Sequence, residues 1–136
     1  MAPAAPPSPP APAVLNIDGT LKRLRCTRSF YREMLALFHL HDAGAALKLH
    51  AALDRGDRDA ACRISHRLSG AASMLGAEEL TAALTAIERE LLKLPAAAQD
   101  LGTAFPAALL TQVEQSLQRT LAAAARELQS AVADAE

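Results

Sequence analysis

Large aliphatic residues stand at Leu80, Leu84, Ile87, Leu91 and Leu94, spaced alternately four and three apart. An α-helix puts such a series on one face, and the alternation is the seam of helices packed lengthwise against one another. A chain built on that seam needs further helices to cover it. Aromatic residues are scarce, with no Trp, one Tyr and three Phe, so the core must come from Leu, Ile, Val, Met and Ala. At 136 residues and 51% hydrophobic, the chain has material for one core, and no β-hairpin signal or internal repeat competes with the helical pattern.

The flanking segments supply the other helices. Ile17, Leu21 and Leu24 predict a short first helix with Asp18 as N-cap and an end near Arg25. Ser29 is placed to cap a second helix that carries Phe30, Met34, Leu37 and Phe38 as one stripe. Asp42 to Gly44 either bend that helix or end it ahead of a restart bearing Leu47, Ala51 and Leu53. Arg55-Gly56-Asp57 closes the stretch, and Asp57 caps a third helix of about 18 residues, through Cys62 and His66 to Leu75, with Gly76 as its stop. The Leu80 helix follows and ends at Pro95. After a loop over 96–104, Pro106 opens a last helix whose Leu110, Val113, Leu117, Leu121, Ala124 and Leu128 share a face. The expected fold is all-α: an antiparallel four-helix bundle with a short extra N-terminal helix.

Residues 1–13, MAPAAPPSPPAPA, hold six of the eight prolines and no charged side chain, the composition of an extended tether, which leaves 14–136 as the domain. Such a tether fits a fragment with an upstream neighbour or a free-standing chain with a tail, and it favours the fragment. Fourteen basic against fifteen acidic residues create no overall field for nucleic acid or an anionic membrane, so neither is an expected partner. Cys26 and Cys62 form no close pair and read as free thiols of a reducing compartment. With no apolar run of the ~18 to 20 residues that span a bilayer and no signal peptide, the expected location is cytoplasmic. As an isolated domain the chain is expected to be a monomer.

The third helix carries the chemistry. At about 100° per residue, Ile64, Leu68, Ala71 and Leu75 fall within one narrow stripe, expected to face the core. His66 lies about 200° round from Ile64 and shares its side with Ser69, Gly70 and Ser73, all small. Side chains on a helix lean toward its N-terminus, so Ser69 and Gly70 are the residues that crowd the His66 ring. A glycine inside a helix costs roughly 1 kcal/mol relative to alanine, and clearance for a second molecule would justify it, as would close helix packing. An exposed imidazole, with an ordinary pKa of about 6.5, offers a lone pair near neutral pH and can act as a nucleophile toward phosphorus.

The run Ser65-His66-Arg67-Leu68-Ser69-Gly70-Ala71-Ala72-Ser73-Met74-Leu75-Gly76-Ala77 resembles the signature of histidine-containing phosphotransfer (Hpt) domains, His-x-Leu-Lys-Gly followed by small residues and Gly-Ala. Ile17 to Phe38 is similar to the family's opening helices, and Leu53 to Asp57 to its Leu-x-x-Gly-Asp approach. The likeness is most specific over residues 53–91. It implies a phosphorelay carrier of two-component signalling, with the histidine exposed mid-helix and phosphoryl groups passing between aspartates of receiver domains. The partners implied are receiver domains of a bacterial hybrid sensor histidine kinase, a response regulator, or both. His66 would be the phosphoryl acceptor and donor, Ser69 and Gly70 its surroundings, and Leu68 and Ala71 core. Together with the wheel, the resemblance makes Cys62, Arg63, Ser65, Arg67 and Ser73 the docking face. Ser69 departs from the pattern, since a lysine commonly stands there and serine brings no charge. No cofactor is expected on this domain, a phosphocarrier and not an autonomous enzyme, and Mg²⁺ is expected on the receiver partner.

Two rival readings stand beside this one: a non-catalytic helical adaptor or dimerisation module with His66 incidental, and a metal-binding bundle. His39 and His41 are two apart on different sides of a helix and His50 has no spaced partner, so all three read as ordinary. The charges from Arg55 to Arg63 read as a solvated turn able to steer an acidic receiver.

Overall fold

The computed structural model describes residues 11–94 and 105–135. Among them are six helices: α1 (Ile17–Leu24), α2 (Arg28–Asp42), α3 (Ala45–Asp54), α4 (Arg58–Leu75), α5 (Glu78–Leu92) and α6 (Ala107–Ala135). Several begin on a side chain that accepts from the otherwise unpaired N–H three residues on. Asp57 does this for Ala60 at the head of α4, as expected. At α1 the cap is Asn16 rather than Asp18, and at α2 it is Thr27 rather than Ser29. Asp18 and Ser29 are each the second residue of their helix, already in helical backbone, whereas a capping side chain stands on the non-helical residue just before it. The expected loop over 96–104 and Pro95 lie outside the described residues, and Pro106 directly precedes α6.

The four walls of the bundle are α2 with α3, α4, α5 and α6. Helix α4 packs on α3 and α5, α5 packs on α6, and α6 closes the ring on α2 and α3. The all-α bundle is as expected. Leu80, Leu84, Ile87 and Leu91 are fully buried, with Leu35, Leu49, Leu53, Leu68 and Val113 around them. Each such side chain contributes about 1.5 to 3 kcal/mol of burial.

The open choice at Asp42 to Gly44 resolves as a restart, with α2 ending at Asp42 and α3 beginning at Ala45. The stripe expected after the restart is corrected: Leu47 is 78% exposed and Ala51 is exposed, while Ala45, Leu49, Ala52 and Leu53 are buried. The break resets the helical phase, so the inner face of α3 follows its packing on α4 and α6 and not the run of α2.

The C-terminal end of α4 is held by neighbours. Its last carbonyls lack intrahelical partners, and they are met from outside. Arg23 of α1 donates to the carbonyls of Ser73 and Met74, and the buried Tyr31 hydroxyl of α2 donates to that of Leu75 at 2.6 Å. The Asn16 N–H donates to Gly76 O. From Ala13 on, the chain is bonded to the start of α5: Ala13 N–H and the Asn16 amide donate to the Glu78 carboxylate, which these two donors hold below the ordinary carboxylate range.

Burial first, and the Glu127 carboxylate second, push the Tyr31 hydroxyl up from 10.0 to about 12. The folded state thus favours protonated Tyr31 more than the unfolded chain does. This contribution is whole below pH 10 and is lost as pH rises toward 12, amounting to about 2 to 3 kcal/mol. Chemical denaturation between pH 9 and 12 should show a steep alkaline loss in the parent and a shallower one in Tyr31→Phe. Parallel curves would refute this account.

Candidate functional site

Helix α4 owes its position to what lies at its two ends and along its inner face. Asp57 starts it, and Gly76, at φ 76°, ends it in a left-handed turn whose N–H returns to the carbonyls of Ala72 and Ser73. His66 falls at its middle. The fully buried residues of α4 are Ala61, Ser65, Leu68, Ala72 and Leu75, with Ala60 nearly so. That face is centred about 50° from the stripe expected from Ile64, Leu68, Ala71 and Leu75. Ile64 and Ala71 are only half-buried.

This rotation corrects one site assignment. Ser65 was expected on the docking face, but its side chain is 0% exposed and its hydroxyl is buried with no partner among the described residues. Helix α4 packs on both α3 and α5, and small residues such as Ala61, Ser65 and Ala72 on its inner face permit close approach, so steric fit decides that face over side-chain polarity. The remaining positions stand largely as the wheel has them. His66, Arg63, Arg67, Gly70 and Ser73 are exposed, and Cys62 and Ser69 are half-buried. A Cβ built on Gly70 meets nothing within 4 Å. Gly70 is therefore not packed against a neighbouring helix, because a packing glycine would have a neighbour against its Cα.

Two features escaped the sequence. The first is an apolar groove of about 280 Å³ between α2 and α4, beside the His66 face, where Met34, Leu37 and Phe38 meet Ala71 and Met74. Leu37 and Met74 are 56% and 53% exposed there, although helical periodicity alone assigned Leu37 to the core. The second is Glu88 on α5. Helices α4 and α5 are joined at Gly76–Ala77 and meet again where Arg58 donates to Leu94 O, so Ser65 and His66 lie level with Ile87 and Glu88. One Glu88 carboxylate oxygen is buried there without a partner among the described residues. Its signal was an acid placed directly after a core residue of the Leu80 seam.

The chain matches the family model described as the Hpt domain over residues 33–135. This chain belongs to the Hpt domain family. No curated protein and no solved structure matches it significantly. The matched span takes in α3 to α6 and most of α2, including the whole His66 face, whereas α1 and the strand of chain bonded to Glu78 lie ahead of it. Membership makes this Hpt domain a phosphotransfer carrier of two-component signalling, a role exercised through receiver domains. Among the described residues, no helix is long and apolar enough to cross a membrane, and no three His, Cys, Asp or Glu side chains are grouped to hold a metal ion.

Proposed function

We propose that His66 is the phosphoryl acceptor and donor of this Hpt domain, taking the group from a receiver-domain aspartate and passing it to the aspartate of a response-regulator receiver. The observation that carries the reading is an imidazole exposed at the middle of α4 with open space over Gly70. A neutral ring nitrogen of His66 attacks the phosphorus of an aspartyl phosphate, the N–P bond forms, the acyl P–O bond breaks, and the carboxylate leaves. Onward transfer is the reverse exchange on a second aspartate. The receiver would bring the Mg²⁺, while this domain presents the nucleophile and the surface that aligns it.

That surface is formed by Arg63, Arg67, Gly70 and Ser73 with half-buried Cys62 and Ser69, flanked by the apolar groove at Leu37 and Met74. Small residues allow close approach, the groove offers apolar area at the edge of the contact, and two exposed arginines favour an acidic partner. The domain is a carrier module in this scheme, in the cytoplasm and joined to a hybrid sensor histidine kinase.

Phosphoramidate, a small donor that phosphorylates imidazoles with loss of ammonia, tests the acceptor without a protein partner. The parent should take up acid-labile, alkali-stable phosphate well beyond the slow background of the exposed His39 and His41, and His66→Gln should show that background alone. Equal labelling of the two would end this reading. Receiver binding that persists unchanged in His66→Gln while neither chain takes phosphate would instead leave the adaptor.

A further inference from the structure

A phosphoryl group on a side chain carries about 1.5 to 2 negative charges at pH 7, and Ser69, three residues after His66, brings no charge to meet it. We infer that Arg63 supplies that charge, binding the phosphoryl group from the turn of α4 that precedes His66. The inference rests on His66 being the acceptor. Helical side chains lean toward the N-terminus, so the His66 ring stands over the turn of Cys62 and Arg63, and a phosphoryl group on its outer nitrogen extends farther the same way. Arg63 is three residues back, a surface neighbour with its Cβ about 5 to 6 Å away; its own Cβ leans the same way, toward Asp59 and Ala60, so its long stem must turn outward to meet the group.

Five other arginines are committed elsewhere: Arg23 to the end of α4, Arg28 and Arg32 to Glu127, Arg58 to Leu94 O, and Arg119 to Glu79, while Arg25, Arg55, Arg89 and Arg126 lie on other elements or loops and not on α4. Arg63 is exposed and has no hydrogen bond or ion pair among the described residues, so it gives up no contact in turning to an anion. Arg67 is the other cation beside His66, but it lies about 100° round the helix. There it lines a cavity of about 300 Å³ between the α2–α3 junction and α4, with Asp42 and Lys48. Cys62, the remaining neighbour on the preceding turn, is half-buried and brings no positive charge. A guanidinium offers parallel N–H donors that match two phosphoryl oxygens, and its long stem lets it reach outward from the helix.

The probe is the chain phosphorylated with phosphoramidate, the N–P bond to His66 forming as the donor's N–P bond breaks and ammonia leaves. ³¹P NMR follows the phosphoryl group's second ionisation at low salt, ordinarily near pH ~6 for a phosphorylated side chain. A nearby cation favours the dianion, so Arg63→Gln should raise the midpoint by about 0.3 to 1 unit. Arg63→Lys should hold it close to the parent, and 1 M salt should shrink the difference. Arg67→Gln should leave the midpoint in place, and circular dichroism should show each variant helical. An unmoved midpoint in Arg63→Gln, or an equal shift in Arg67→Gln, overturns the inference while leaving His66 as acceptor. A parent chain with no phosphohistidine signal would overturn the acceptor and this inference together.

Discussion

Gly76→Val should cost this Hpt domain at least about 3 kcal/mol of stability. Gly76 has φ 76°, a left-handed conformation that a β-branched residue adopts only under strain. A Cβ there would also come within 2.8 Å of Asn16 O and closer still to Thr20 Oγ1. The threonine can rotate, but the Asn16 carbonyl cannot retreat freely, because it accepts from both the Thr20 N–H and the Thr20 hydroxyl. Relief would require α1 to lift from the α4–α5 turn, releasing Arg23 from the carbonyls of Ser73 and Met74. For a domain of this size the loss corresponds to a fall of roughly 10 °C in melting temperature. Gly76→Ala should fall between parent and valine, and Thr20→Ala should recover part of the alanine variant's loss. A valine variant melting within a degree or two of the parent would show that the turn yields without strain.

The second large effect is at Gly70, where space rather than backbone conformation is the issue. Gly70→Ala should stabilise the domain by about 0.5 to 1 kcal/mol, because the helix gains propensity and the new methyl group meets nothing. Gly70→Phe should also fold, since its ring has solvent to occupy, yet it should slow phosphoryl transfer from a phosphorylated receiver by about 100-fold or more. A phenyl ring leaning over His66 from the next turn would hold a docking protein away by more than the ångström that in-line transfer tolerates. Labelling by phosphoramidate should fall only a few fold, because so small a donor approaches from the free side. Melting curves and paired transfer assays check both parts. Equal rates from a protein donor in parent and Gly70→Phe would mean that partners approach His66 from elsewhere.

Much of this was legible in the chain because it depends on local rules. The Leu80 series marks a buried seam, Asp57 and Gly76 bracket α4, and the wheel sets His66 opposite the core. The caps Asn16 and Thr27 were missed because several polar residues stood near each helix start, and which of them meets a free N–H depends on where the backbone turns helical. Ser65 was misplaced for a different reason. Periodicity assigns the inner face by apolar side chains, whereas packing turned inward a side of α4 that includes small ones, so a serine is enclosed and Ile64 stays half-exposed. Leu37 and Met74 show the converse, as apolar residues left exposed at a groove between α2 and α4.

The sequence by itself determined an all-helical bundle, the extent of α4, and a histidine at its middle with small neighbours, since helical periodicity, caps and glycine act within a few residues of one another. Only the tertiary structure decided which of those neighbours are free. It enclosed Ser65, opened the groove at Leu37 and Met74, set Glu88 level with His66 and left Arg63 without a partner. Those outcomes depend on how closely two helix surfaces approach and at what register, quantities fixed by packing between segments distant in the chain.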